Sequence, residues 1–212
     1  MEEQLVYKCV AFDVDGTLID TNQSIIASLQ QVLLEELGRK YSEDELRFAL
    51  GIPGAVVLEQ LGVPDVQAAL NKWIAYSRES SHLVSAFPGI EDLLAGLRAA
   101  GITLGIVTSR TRGELDILSR FGFRDSFAAV VCADDTERGK PNADPLLKLL
   151  ADTGLGPAEV LYVGDSVNDG LCAHAAGVKF ALALWGAVNP AVPCDYRPAH
   201  PSELLTLCQA AR

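Results

Sequence analysis

The chain has 212 residues, and 17 basic against 28 acidic side chains leave it a formal net charge of −11, with 49% hydrophobic and 21% charged residues. That composition excludes a disordered or fibrous chain and supplies apolar mass for one large domain, or a core domain with a smaller insertion, at roughly 100–200 residues per domain. An acidic chain without a Lys/Arg cluster lacks the basic patch that nucleic acid or an anionic membrane surface requires, so no nucleic acid and no membrane is expected as partner, and a small molecule or a protein is.

In chain order, the opening MEEQLVYKCV has acids where a signal peptide needs Lys or Arg. No apolar run approaches the roughly 18 residues of a spanning helix, and the expected location is cytoplasmic. A β-branched run, 5–12, then stops at Asp13-Val14-Asp15-Gly16-Thr17. From 21 to 84 there is no strand pattern, but helical spacing at Ile25, Leu29, Val32, Leu33 and Leu37 and again at Val66, Leu70, Trp73 and Ser77. Phe87-Pro88-Gly89 leads out of that stretch as a hinge-like exit. Beyond it, helices are expected over 91–100, 112–120, 144–153, 168–176 and 202–210. Strands are expected over 102–107, 129–131, 160–163 and 180–184, ending at Thr108-Ser109-Arg110, Gly164-Asp165-Ser166 and Trp185-Gly186. Gly101, Gly122, Gly154 and Gly177 stand where helices end. Strands alternating with helices give an α/β fold with a parallel sheet, here with an all-helical unit inserted after the first strand. Cys9, Cys132, Cys172, Cys194 and Cys208 form an odd set without a CxxC pair. They fit neither a disulfide framework nor a thiolate zinc site, and are expected reduced and mostly packed.

In an open parallel sheet, ligands bind beyond the carboxyl ends of the strands. Asp13, Asp15, Thr108, Ser109, Asp165 and Asp169 gather at three such ends, with Lys140-Pro141 in the loop before the fourth strand. A DxDG turn alone is explained by turn chemistry; four carboxylates converging on one face are not. Such carboxylates repel one another and need a cation or a shared proton. Oxygen ligands without His or thiolate favour Mg²⁺, which keeps waters and takes substrate phosphate as a further ligand, whereas the EF-hand pattern for Ca²⁺ is missing. Lys140 adds a positive point charge, and Thr108 with nearby amides adds donors for a transferring phosphoryl group. His82, His174 and His200 are scattered without ligand spacing, and Trp73 and Trp185 read as packing residues.

Asp13-Val14-Asp15-Gly16-Thr17, the strand-ending Thr108, Lys140-Pro141 and Gly164-Asp165-Ser166-Val167-Asn168-Asp169 match, in order, the four motifs of the haloacid dehalogenase-like hydrolase superfamily, which the whole chain resembles. The helical insertion resembles that of the subgroup with phosphoglycolate phosphatases, a pyrophosphatase of similar form and β-phosphoglucomutases. The resemblance implies a Rossmann-like core over 1–20 and 85–212 and a helical cap domain over 21–84. It implies Asp13 as nucleophile forming an aspartyl-phosphate and Asp15 as general acid and then base. Thr108, Ser109 and Lys140 would bind the phosphoryl group, Lys140 also stabilising charge on the intermediate. Mg²⁺ would be held by Asp13, the Asp15 carbonyl and Asp165, with Asp169 ligating through water or orienting Lys140. Asp15 separates phosphatases from the dehalogenases, which lack this acid.

The expected function is therefore a Mg²⁺-dependent phosphatase acting on a small phosphorylated metabolite, a phosphoglycolate-like monoester or pyrophosphate. A sugar phosphomutase is the alternative within the family. Its mutases carry a His at the start of the first cap helix and an Arg in a cap loop, where this chain has Ile25 and Gly54. A non-catalytic binding protein on the same scaffold is the alternative of another class, and the retention of Asp13, Asp15, Thr108, Lys140 and Asp165 speaks against it. Arg47, Lys72 and Arg78 of the insertion are candidate leaving-group contacts that read equally as solvated helix-face charges. Oligomeric state is not legible.

Overall fold

The computed structural model describes residues 7–209. Leu5 and Val6 of the expected first strand, Ala210 of the last helix and the acidic opening residues lie outside the described residues. The chain separates into two compact units, one formed by Met1–Ile19 with Ala86–Arg212 and one by Asp20–Ser85.

Five parallel strands form the sheet of the first unit: β1 (Cys9–Phe12), β4 (Thr103–Val107), β5 (Ala129–Val131), β6 (Val160–Gly164) and β7 (Lys179–Leu182), in the order β5-β4-β1-β6-β7. The remaining two strands, β2 (Ile19–Asp20) and β3 (Ser85–Ala86), pair where the chain leaves and re-enters this unit. All four residues of β1 are buried. A strand covered on both faces reads as an unbroken apolar run, which is why Cys9-Val10-Ala11-Phe12 shows no alternation. Phe12 pairs with Ile106 on one side and Val163 on the other, so the chain emerging from β1 enters the site between the ends of β4 and β6. The chain builds β4 and β5 outward on one side and then crosses to β6 and β7 on the other. That reversal beside β1 is the topological switch point, where open α/β sheets hold ligands.

Helices α5 (Ile90–Ala99), α6 (Asp144–Thr153), α7 (Val167–Ala176) and α8 (Glu203–Gln209) complete this unit. Leu146, Leu149 and Leu150 of α6 and Cys172, Ala173 and Ala176 of α7 join Cys9, Ala11, Val107, Tyr162 and Phe180 in one apolar cluster. Where the spacing predicts a helix over 112–120, the chain forms a 3₁₀ helix over Glu114–Phe121. Glu114 accepts from both the amide and the hydroxyl of Thr111, closing a tight first turn in a short connector, the setting in which 3₁₀ geometry is common.

The second unit contains α1 (Asn22–Leu37), α2 (Glu43–Leu46), α3 (Gly54–Gln60) and α4 (Val66–Glu79). Leu29, Val32, Leu33, Leu46, Leu58, Ala69 and Trp73 make a core of its own. Ser28 is fully buried within that apolar face. Its hydroxyl donates to the Ser24 carbonyl at 2.6 Å and accepts from Trp73 Nε1 at 3.0 Å, so a polar residue on the wrong face of the pattern is satisfied. All five cysteines are free, Cys194 half-buried and the others buried.

Candidate active site

Asp13 follows β1 directly, and its amide donates to Val163 O of β6 at 2.8 Å, which extends the sheet into the site. The chain then turns tightly: the amides of Leu18 and Ile19 both donate to Val14 O, and that of Gly16 to Ile19 O. Gly16 has φ +73°, and a Cβ on it would stand 2.2 Å from Asp165 Oδ2. Glycine is required there both for the left-handed backbone and for the approach of the carboxylate. From the other side, Trp185 donates from Nε1 to Thr17 O at 2.8 Å, and Gly186 lies so close that its missing Cβ would be 1.8 Å from Gly16 O. Trp185 is half-buried, and the Trp185-Gly186 pair braces the loop that carries Asp13 and Asp15.

Lys140 is 4% exposed, with Nζ 2.9 Å from Asp13 Oδ1 and 2.6 Å from Asp169 Oδ1, and it donates to Tyr162 Oη at 3.2 Å. Asp169 is fully buried. Its Oδ1 also lies 2.8 Å from the Tyr162 hydroxyl, and its Oδ2 accepts from the amide and hydroxyl of Ser166 at 3.0 and 2.5 Å. Ser166 and Asp169 form the capping box of α7, so the element that satisfies the first turn of a helix also fixes a carboxylate against Lys140.

The charges are unevenly balanced. Burial pushes the Asp13 carboxyl up to about 7, Asp169 and Asp15 adding to the rise and Lys140 opposing it. Burial, with Asp169 and Asp13 nearby, holds Asp165 well above the usual carboxylate range. Burial would raise Asp169 too, but the charge of Lys140 and the hydrogen bonds from Lys140, Ser166 and Tyr162 outweigh it and bring that carboxyl below its ordinary value. Lys140 is held protonated: burial works against its charge, and Asp13 and Asp169 overcome that. One lysine does not neutralise this set. A carboxylate oxygen from each of Asp13, Asp165 and Asp169 falls within 4.8 Å of the others. Hard oxygen donors with excess negative charge fit a divalent cation. Because both Asp169 oxygens already accept from protein donors, Asp13 and Asp165 are the carboxylates with capacity to spare.

Thr108, 3% exposed, directly follows β4. Its amide is used by Val131 O, and its Oγ1 accepts from the Arg110 amide at 3.1 Å, which leaves the hydroxyl hydrogen to be donated elsewhere. Ser109 is exposed. The Asp15 side chain turns to Arg110, whose Nε and Nη2 donate to its two oxygens at 2.7 and 2.6 Å. The structure therefore brings Asp13, Asp165, Asp169 and Lys140 into one cluster and places Thr108 and Ser109 at the end of the strand adjoining β1. The Asp15 side chain it pairs with Arg110.

Two residues were missed by sequence reasoning. Tyr162 reads as strand core, and nothing in its pattern says that its hydroxyl reaches Lys140. Arg110 had a signal, a cation two residues after the strand-ending Thr108 on a face rich in carboxylates. A second acidic group, Cys132, Asp134 and Asp135, is accounted for by its loop: Asp135 accepts from the Cys132 amide and pairs with Arg112, and Asp134 accepts from the Arg112 amide. His82, His174 and His200 are exposed. Lys72 pairs with Glu35 and Glu36, and Arg47 and Arg78 are exposed.

A family model for haloacid dehalogenase-like hydrolases matches residues 10–183. The chain is 31% identical over 200 residues to N-acetylmuramic acid 6-phosphate phosphatase of Pseudomonas aeruginosa, covering 91% of this chain and 87% of that protein. It is 32% identical over 192 residues to pyrophosphatase PpaX of Bacillus pumilus, covering 89% and 88%. It is 35% identical over 187 residues to phosphoglycolate phosphatase of Cereibacter sphaeroides, covering 84% and 85%. Among solved structures, a haloacid dehalogenase superfamily hydrolase of subfamily IA from Geobacter sulfurreducens superimposes with a TM-score of 0.77 at 30% identity, covering 96% of this chain and 97% of that one.

Proposed function

The chain belongs to the haloacid dehalogenase-like hydrolases and is a phosphatase of that family, and from there we propose that it is Mg²⁺-dependent and cleaves a small phosphorylated metabolite through an aspartyl-phosphate on Asp13. The observation that carries this reading is the buried Lys140 shared between Asp13 and Asp169, a fixed positive charge beside a carboxylate at the switch point of the sheet.

An Asp13 oxygen attacks phosphorus as the bond to the leaving oxygen breaks, and Asp15 gives that oxygen a proton. Water then attacks the phosphorus, Asp15 takes its proton, and inorganic phosphate leaves Asp13 regenerated. Lys140 offsets the charge on the nucleophile and on the phosphoryl oxygens, held to that task by Asp169. Thr108 donates its hydroxyl to a phosphoryl oxygen, with Ser109 beside it. Mg²⁺, held by Asp13, the Asp15 main-chain carbonyl and Asp165, would neutralise the transferring group. The helical unit over 21–84 serves as the cap that selects the leaving group, and the protein works in the cytoplasm. No helix among the described residues is long and apolar enough to cross a membrane.

Phosphoglycolate-like monoesters and pyrophosphate are the substrates favoured. A phosphomutase is disfavoured by Ile25 and Gly54, the latter lying so close to Leu70 and Trp73 that a Cβ there would meet Leu70 Cδ1 at 2.9 Å. The deciding experiment assays the purified protein on an aryl phosphate and a panel of phosphorylated metabolites, with Mg²⁺ and with chelator, beside Asp13→Asn. Hydrolysis that needs both the metal and Asp13 is expected; activity indifferent to either refutes the mechanism.

A further inference from the structure

Arg110 is a charged residue at the strand ends for which the mechanism above has no task. Its Nε meets Asp15 Oδ2 at 2.7 Å and its Nη2 meets Oδ1 at 2.6 Å, the parallel two-bond pairing that a planar guanidinium makes with a carboxylate. Nη1 donates to the Glu114 carbonyl at 3.4 Å and the main-chain amide to Thr108 Oγ1 at 3.1 Å, so the residue is tied to the turn that presents Thr108. The pair is reachable: the side chains of Arg110 and Asp15 are 22% and 32% exposed, against 4% and 10% for Lys140 and Asp13. Lys140 is locked between two buried carboxylates, whereas the Arg110–Asp15 pair is half-buried. Any carboxylate or phosphoryl group fits the guanidinium fork as Asp15 does. Both oxygens of the Asp15 carboxylate are engaged by the guanidinium.

We propose that Arg110 reads the substrate by exchange: it gives up Asp15 for a second anionic group, a carboxylate or phosphoryl, on the leaving-group side of the substrate, and so frees the Asp15 carboxylate to take a proton from water and carry it to the leaving oxygen. The inference rests on the phosphatase reading and assigns to Arg110 the selection of its favoured substrates, phosphomonoesters bearing an acidic group a few atoms from the ester oxygen, or pyrophosphate. A substrate with a neutral leaving group breaks the ion pair and offers nothing in return, so discrimination arises from the unpaired charge it leaves behind.

The test compares 2-phosphoglycolate with ethyl phosphate, of similar size but without the carboxylate, in the parent protein, Arg110→Gln and Arg110→Lys with Mg²⁺. The parent should favour phosphoglycolate. Arg110→Gln should lose at least about tenfold more kcat/KM on phosphoglycolate than on ethyl phosphate, chiefly in KM, and Arg110→Lys, which keeps the charge without the fork, should fall between. In a non-turnover Asp13→Asn background, calorimetry with Mg²⁺ should show Arg110→Gln weakening phosphoglycolate binding by a similar factor and inorganic phosphate binding less. Equal losses on the two substrates, or unchanged phosphoglycolate binding, would overturn the exchange. A parent protein that hydrolyses neither substrate nor an aryl phosphate would instead refute the phosphatase reading, while the binding comparison still judges Arg110.

Discussion

Asp13 is 7% exposed, and burial raises its carboxyl from an ordinary 3.8 to about 7. Between those values the folded protein keeps a proton that the unfolded chain has lost, so this group makes stability fall as pH climbs, the penalty being complete above about pH 7. Asn at this position carries no charge. Chelator-treated Asp13→Asn should therefore melt a few degrees above the chelator-treated parent at pH 8, with the gap closing toward pH 4. Asp169 works in the opposite sense, its stabilisation being lost as pH falls through its depressed value. A parallel dependence in the two melting profiles would mean that Asp13 is not the strained charge. For Asp15, replacement by Asn removes proton transfer but keeps the main-chain carbonyl. An alkyl phosphate should lose about 10²–10⁴-fold in turnover, and an aryl phosphate less in the first step because its leaving group needs no proton. A burst of aryl alcohol followed by slow turnover is the expected pre-steady-state signature; equal first-step losses on both substrates would remove the general-acid role from Asp15.

Loops rather than strands set the precision of the site, and one contact shows how. The turn after β7 presses Gly186 onto the Gly16 carbonyl, so Gly186→Ala must push the Asp13 loop aside. A displacement near 1 Å at a reacting group costs about 10²-fold in rate. Gly186→Ala should lose about that much kcat on an aryl phosphate with its far-ultraviolet circular dichroism intact. The control is Gly113→Ala, where a Cβ meets nothing within 4 Å and the backbone φ of −68° suits any residue. That change should leave kcat alone and leave stability unchanged or raised by under about 1 kcal/mol. If both variants behave alike, the close approach at Gly186 does not position the site. The elements that carry these loops follow local rules: Ser166 caps α7, and Gly154 and Gly177 end α6 and α7 in the left-handed region. Such signals depend on neighbours in sequence, which is why the helices over 144–153 and 168–176 were legible almost to the residue. The 3₁₀ helix over Glu114–Phe121 was not, because over two turns 3₁₀ and α helices show similar apolar spacing and differ in whether each amide reaches the carbonyl three or four residues back.

For the molecule as a whole, the excess of carboxylates at the switch point predicts that a divalent cation is a stability factor as well as a reagent. Mg²⁺ added to the chelator-treated protein should raise its melting temperature in a concentration-dependent way, since a ligand bound only by the folded state stabilises by mass action. Asp165→Asn should blunt that rise; an unchanged rise would place the cation elsewhere. The amino-acid sequence by itself determined the α/β class, the helical insertion, the ordered motifs and the membership of Asp13, Thr108, Lys140, Asp165 and Asp169 in one set. Periodicity, caps and motif spacing are properties of neighbouring residues, and a parallel sheet necessarily collects its strand ends on one side. Only the tertiary structure decided how those groups pair: Asp169 saturated by Ser166, Tyr162 and Lys140, Gly186 against Gly16, and Asp15 paired with Arg110. These contacts join residues distant in the chain, Asp15 and Arg110 being 95 positions apart. The charge on each side chain is written in the sequence, but the partner that satisfies it is chosen by distance, burial and direction once the chain has folded.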